Sequence, residues 1–137
     1  RRSSDWDYAG TKVGKDFIAD AMQEYCYSLY TIGSVQSRDA FLELSEILSG
    51  IYPENIQFIN NIGSYYLLKE DFKTALKYYS KVLKKSADDY TAIKNSALAA
   101  RRLHNAKLEK KYLQMLVKHG PENDVAAAKA RMEALNK

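Results

Sequence analysis

Pro53-Glu54-Asn55 and Pro121-Glu122-Asn123 are the same tripeptide, and Ala87-Asp88-Asp89 stands midway between them, so the chain repeats every 34 residues. A period in this range confines the fold to a stack of small supersecondary units. Each unit is too small to bury its apolar face alone and needs its neighbours. Other pairs keep the interval: Ile59 and Ile93, Asn61 and Asn95, Gly63 and Ala97, Tyr78 and Tyr112, Val82 and Leu116. A structure that repeats in space offers a surface more readily than an enclosed pocket, which points towards binding and away from chemistry.

The units read as helical hairpins. Six Gly and two Pro in 137 residues are too few for the many tight turns of a sandwich or barrel. From Asp16, Ile18, Ala21, Met22, Tyr25, Leu29 and Ile32 recur at helical spacing, and Ala40, Leu44, Ile47 and Ile51 form a second stripe, with Ser37 expected as its N-cap. Residues 56–89 are the clearest unit. Ile59, Ile62, Gly63 and Tyr66 share a face; a turn follows at Lys69-Glu70-Asp71, with Asp71 as cap. Phe72, Ala75, Leu76, Tyr79, Val82 and Leu83 then fall at i, i+3, i+4, i+7, i+10 and i+11. Asp88 or Asp89 caps the next helix, whose inward residues are Ile93, Ala97, Ala100 and Leu103. His104-Asn105 turns the chain into Leu108, Tyr112, Met115 and Leu116. A last helix carries Val125, Ala128, Met132 and Leu135, with Lys129, Arg131 and Glu133 left polar, and is expected to cover the end of the stack.

At 56–89 the chain resembles a tetratricopeptide repeat, a 34-residue helix–turn–helix unit. Gly63 fills the family's small eighth place, Tyr66 its aromatic eleventh, Ala75 its small twentieth and Tyr79 its aromatic twenty-fourth. Asp71-Phe72 resembles the family's Asp-Tyr turn. The flanking units depart from the pattern. In 90–123, Ala97 and Pro121 conform, but Ala100 replaces the aromatic and Glu109 stands where a small residue belongs. In 22–55, Pro53 conforms, but Leu29 takes the small place and Ala40 comes one position early, as a shifted turn would produce. The resemblance implies an all-α fold, a right-handed α-solenoid of about three helical hairpins (22–55, 56–89, 90–123) with a C-terminal capping helix at 124–136. The domain as a whole would span 15–137, after an irregular lead-in at 1–14 that holds Trp6 and Tyr8. The main rival fold is another helical-hairpin array, pentatricopeptide-like or HEAT-like.

Chemistry finds little support. Gly10-Thr-Lys-Val-Gly14-Lys15 is one residue short of a phosphate loop, and Asp16 stands where Ser or Thr must hold magnesium. His104 and His119 have no partners at metal-ligand spacing; a turn and a helix end explain them. Cys26, the single cysteine, sits among tyrosines on an apolar helix with no base in view, so a buried thiol is expected. No catalytic residue, metal or cofactor is assigned, and the chain is not expected to be an enzyme.

The resemblance also implies where a partner lies, because first helices of such repeats line a concave groove. The groove candidates are Gln57, Asn60, Asn61, Ser64 and Leu68 from one repeat, Thr91, Lys94, Asn95, Leu98 and Arg101 from the next, and Gln23, Cys26 and Tyr30 from the first. Asn and Gln can pair with a peptide backbone, and Lys94 and Arg101 can meet a carboxylate. The paired-cation scheme by which some relatives clamp a C-terminal carboxylate is matched only at Asn61. The expected partner is therefore a protein or peptide segment of unspecified identity. Two alternatives compete. Lys73, Lys77, Lys81, Lys84 and Lys85 form a basic stripe within the basic stretch 69–118 that could meet nucleic acid or an anionic surface, although a solvated outer face explains it better. The other is end-to-end self-association, because residues 1–54 carry a net charge of −4 and residues 55–137 a net +8. No apolar run reaches membrane-spanning length. The chain opens Arg-Arg-Ser-Ser without an initiator Met and so reads as a fragment, leaving compartment and upstream domains open.

Overall fold

The computed structural model describes residues 12–137, with side chains from Phe17 onward. Residues 1–11, most of the stretch read as a lead-in, lie outside the described residues, as does the Gly10 end of the glycine loop. Seven helices and no strand are present among the described residues: α1 Lys12–Ile32, α2 Val35–Ile51, α3 Ile56–Leu68, α4 Phe72–Lys85, α5 Tyr90–Arg102, α6 Ala106–His119 and α7 Glu122–Leu135. Helix α1 thus begins before Asp16, inside the stretch read as irregular. The fold is all-α and tetratricopeptide-like, built from helical hairpins. It divides into two compact units, Arg1–Phe58 and Ile59–Lys137.

In the first unit α1 packs on α2. Gly33 makes the turn at φ +79, a left-handed conformation natural to glycine. Ser34, not Ser37, caps α2: its Oγ accepts from the Ser37 N–H at 3.0 Å. Ser37 lies in the first turn instead, and its hydroxyl donates back to the Ser34 carbonyl at 3.0 Å. The buried face is formed by Ala19, Cys26, Phe41, Ser45 and Leu48, with the Tyr30 ring 5.2 Å from that of Phe41. Much of the apolar stripe seen in sequence faces outward: Ile18, Tyr25, Ile32, Ile47 and Ile51 are exposed, and Met22, Leu29, Ala40 and Leu44 are half-buried. Two overlapping apolar stripes occupy α1. The helices close on the one where small groups, the Cys26 thiol and the Ser45 hydroxyl (3.8 Å apart), let the axes approach.

In the second unit the sequence period and the packing agree. Ala75, Tyr79 and Val82 of α4 are fully buried, as are Ile93 and Ala100 of α5. A Cβ on Gly63 would come within 2.8 Å of the Tyr79 ring, so the family's small eighth place is a steric necessity here. Helices α4 to α7 pack each on the next. Ile93, Ala97, Ala100, Tyr112, Leu113, Leu116 and Ala128 form one core, closed by Met132 and Leu135 of α7. Asp71, Asp89 and Asn105 cap α4, α5 and α6, each accepting a backbone N–H three residues on. The residues before two of these caps, Glu70 (φ 59) and His104 (φ 56), are left-handed and one period apart. Both close their helices with Schellman pairs: the Asp71 N–H reaches the Tyr66 carbonyl and the Asn105 N–H that of Ala100. Gly33 plays the same part 37 residues before Glu70, which is the shifted turn of the first repeat.

The tripeptide that announces the period is used in two ways. Asn55 precedes α3 and accepts from the Gln57 N–H at 2.9 Å, but Pro121 is itself the N-cap of α7. Helix α7 therefore begins two residues early in the period, with Glu122 and Asp124 placed where its N-terminal partial charge favours acids.

Candidate functional site

Helices α3 and α5 are the first helices of their hairpins, and α7 stands in the corresponding place after them. Polar side chains join them at the level of the expected groove. The Asn60 amide donates to Asp89 at 2.9 Å. The Tyr79 hydroxyl, at the centre of the unit, meets Ser64 Oγ at 2.9 Å and accepts from the Asn95 amide at 3.1 Å. A phenol buried by its ring needs partners for its oxygen, and these two side chains supply them from adjoining repeats. Of the expected groove residues, Asn60 and Asn95 thus tie α3 and α4 to the α5 end of the next repeat, Ser64 bonds Tyr79 within its own repeat, and Asn61 is buried.

Lys94 and Arg101 are exposed and line a common cavity of about 210 Å³. Its walls are α5 (Lys94, Ala97, Leu98, Arg101) and α7 (Asp124, Ala127, Ala128, Arg131). Its floor is α6, through Glu109, Leu113 and Leu116. The three cations differ. Lys94 donates to the Tyr90 hydroxyl at 3.0 Å, Tyr90 in turn donates to Asp124, and Lys94 lies 3.9 Å from Asp124. The contact with Tyr90 foremost, then the negative charge of Asp124, raises the Lys94 pKa, so its charge is secure across the neutral range. Arg131 grips Glu109 with two bonds, Nε to Oε2 at 2.7 Å and Nη2 to Oε1 at 3.1 Å. That bidentate contact raises the Arg131 pKa. Arg101 has no side-chain partner among the described residues. It stands one turn from Leu98, whose side chain is 45% exposed in the same cavity.

Glu109, only 3% exposed, explains its own departure from the family pattern. In place of a small residue at the hairpin crossing, a carboxylate runs under the cavity and holds an arginine from the last helix. Arg131, which the sequence leaves on the polar side of the last helix, is therefore half-buried and part of the wall. Asp124 was also missed in sequence, although Tyr90 and Asp124 are one period apart, and that spacing was the available signal.

The other candidates lie elsewhere. Gln57 is exposed at the start of α3, and Tyr30 is half-buried against Phe41 in the first unit. Cys26 is buried, and desolvation raises its pKa more than the Ser45 hydrogen bond lowers it, so it stays a protonated thiol at neutral pH. The lysine stripe of α4 is solvent-facing, with Lys77 and Lys81 over the Tyr78 ring at 5.7 and 4.8 Å. Among the described residues no three His, Cys, Asp or Glu side chains converge as a metal site would require. No described helix is long and apolar enough to cross a membrane.

No protein-family model matches the chain, and no curated protein matches it in sequence. Solved structures do resemble it. One is PcrH in complex with the chaperone binding region of PopD, at TM-score 0.75 and 16% identity over 89% of this chain and 92% of that one. Another is the N-terminal domain of stress-induced protein-1 (STI-1) from C. elegans, at TM-score 0.66 and 17% identity over 88% of this chain and 95% of that one. At such identities the likeness concerns the fold: a tetratricopeptide-like array of helical hairpins.

Proposed function

We propose that the chain is a non-catalytic interaction module that takes a segment of another protein in the groove between α5 and α7. The observation that carries this reading is the inequality among the cavity's cations. Lys94 and Arg131 are each matched by an acid, and Arg101 is not, beside an exposed leucine and a floor of Leu113, Leu116 and the already paired Glu109. A segment with a carboxylate next to an aliphatic side chain satisfies both features, the carboxylate on Arg101 and the aliphatic group over Leu98 and Leu113. The internal bonds of Asn60, Ser64 and Asn95 support the reading in another way, because they fix the repeats before any partner arrives and so limit the ordering cost of binding. PcrH, similar in fold, is seen in complex with a segment of another protein, and the same manner of use is proposed here.

The test is an array of peptides pairing Glu or Asp with Leu, probed with the wild-type chain and with Arg101→Ala, Leu98→Ala and Asn60→Ala. Arg101→Ala should weaken the best binders about tenfold, a charge-assisted bond's worth, and Leu98→Ala by less. Asn60→Ala should act through stability alone. Binders indifferent to Arg101→Ala would remove this groove from consideration.

A further inference from the structure

The first hairpin is apolar on both sides. Eight large apolar residues of 17–51 are exposed, against three in the rest of the described chain. Five of them, Ile18, Tyr25, Ile32, Ile47 and Ile51, belong to the two outward stripes of α1 and α2, each between 52% and 67% exposed. Between these stripes runs a cleft of about 250 Å³ lined by Tyr25, Leu29, Ala40, Glu43, Leu44 and Ile47. The last helix of the second unit is finished differently. Helix α7 turns Ala126, Lys129, Ala130 and Glu133 to solvent, a polar and small-residue exterior. A contiguous apolar surface edged by polar groups marks a docking site.

The charge around the cleft selects its occupant. Within residues 17–51 there are five acids, Asp20, Glu24, Asp39, Glu43 and Glu46, and one base, Arg38. Asp20 and Glu24, four apart, run along one edge of the α1 stripe, and Asp39, Glu43 and Glu46 run along one edge of the α2 stripe. Asp20, Glu24, Glu43 and Glu46 make no ion pair among the described residues. A second copy docked by two-fold symmetry would set these acid rows against their own images, and nucleic acid or an anionic membrane would be repelled. A trough between two helices receives the ridge of a third. We propose that this cleft seats an amphipathic helix from another protein, with aliphatic residues at i, i+3, i+4 and i+7 entering between Tyr25, Leu44 and Ile47 and Lys or Arg on its flanks meeting Glu43, Glu46 and Glu24. The surface belongs to the first unit and the Arg101 groove to the second.

The experiment titrates the whole chain against a labelled synthetic helix with Leu on one face and Lys on its flanks, followed by fluorescence anisotropy. Counterparts carry Glu or Gln in place of Lys. The Lys helix should bind, the Gln helix more weakly and the Glu helix not at all, with affinity falling as salt rises. Ile47→Asp, at an exposed position that tolerates it, should weaken binding about tenfold. The pair Glu43→Lys and Glu46→Lys should transfer preference to the Glu helix. Tyr27→Ser, on the opposite side of α1, and Arg101→Ala, in the other groove, should change nothing, so failure here and failure of the groove reading are told apart. Equal binding of Lys and Glu helices, or indifference to Ile47→Asp, overturns the proposal. So does a dimer in sedimentation that Ile47→Asp dissolves, which would assign the cleft to a second copy. Binding that emerges only once residues 1–11 are removed would assign it to the chain's own leading segment and overturn it equally.

Discussion

The hairpin of α1 and α2 and the hairpin of α3 and α4 carry apolar stripes of similar spacing and put them to opposite use. In α4 the stripe Ala75, Tyr79 and Val82 is wholly inside, and the helix shows solvent a row of lysines. In α1 and α2 the comparable stripe is outside, because a second and less obvious one, running through Ala19, Cys26, Ser45 and Leu48, has been buried. The difference teaches that periodicity locates an apolar face but does not say which neighbour covers it. A repeat flanked by others on both sides needs two apolar faces; a terminal one needs a single face and a polar exterior.

The contrast can be tested by paired substitutions. Tyr79→Ala should cost about 4 kcal/mol in denaturant unfolding followed by helical circular dichroism, because it removes a buried ring and leaves Ser64 and Asn95 without their shared partner. Gly63→Ala should cost about 2 kcal/mol, since the added methyl meets the Tyr79 ring and one of the two helices must shift. A smaller loss there would mean that the α3–α4 crossing yields more readily than its packing implies. Cys26 offers a pH test of the first unit's inner face. Its folded pKa is raised above 9.0, so its contribution to stability is complete below that pH and fades as the pH rises through the folded value. Stability should therefore fall more steeply above pH 9 in the wild type than in Cys26→Ala, and alkylation at pH 8 should proceed only as fast as the hairpin opens. His104→Gly should stabilise by about 0.5 kcal/mol, relieving a left-handed residue at the cost of a more flexible unfolded chain. Ile47→Ser, on the apolar stripe that the sequence gives to α2, should change stability by less than about 0.5 kcal/mol. A loss matching that of a core residue would show that something covers the cleft.

Much of the fold was legible in the chain. The 34-residue interval located every hairpin from Ile56 onward, and Asp71 and Asp89 announced their helices because a short carboxylate before an apolar run has few other uses. What escaped has physical causes. Ser34 and Ser37 are both good caps, and only the left-handed Gly33 decides between them. Asn60, Ser64 and Asn95 stand at positions expected to line a groove, but their polarity serves the Tyr79 hydroxyl and Asp89, partners a one-dimensional reading cannot bring near. Glu109 was visible as an anomaly; its meaning depended on Arg131, 22 residues away on another helix.

The bond from Tyr90 to Asp124 has a consequence for how the groove behaves in time. One bank of the channel is α7, which buries only Ala128 fully, lays Met132 and Leu135 on the core and is further moored by ionic and hydroxyl ties. Helices with so little wholly buried surface open at lower free energy than the whole molecule unfolds. An occupant touching both banks bridges them and penalises detachment, so occupancy and attachment reinforce one another by mass action. Protease resistance near the carboxyl end would then rise with saturation, giving a simple reporter of whether the channel is filled.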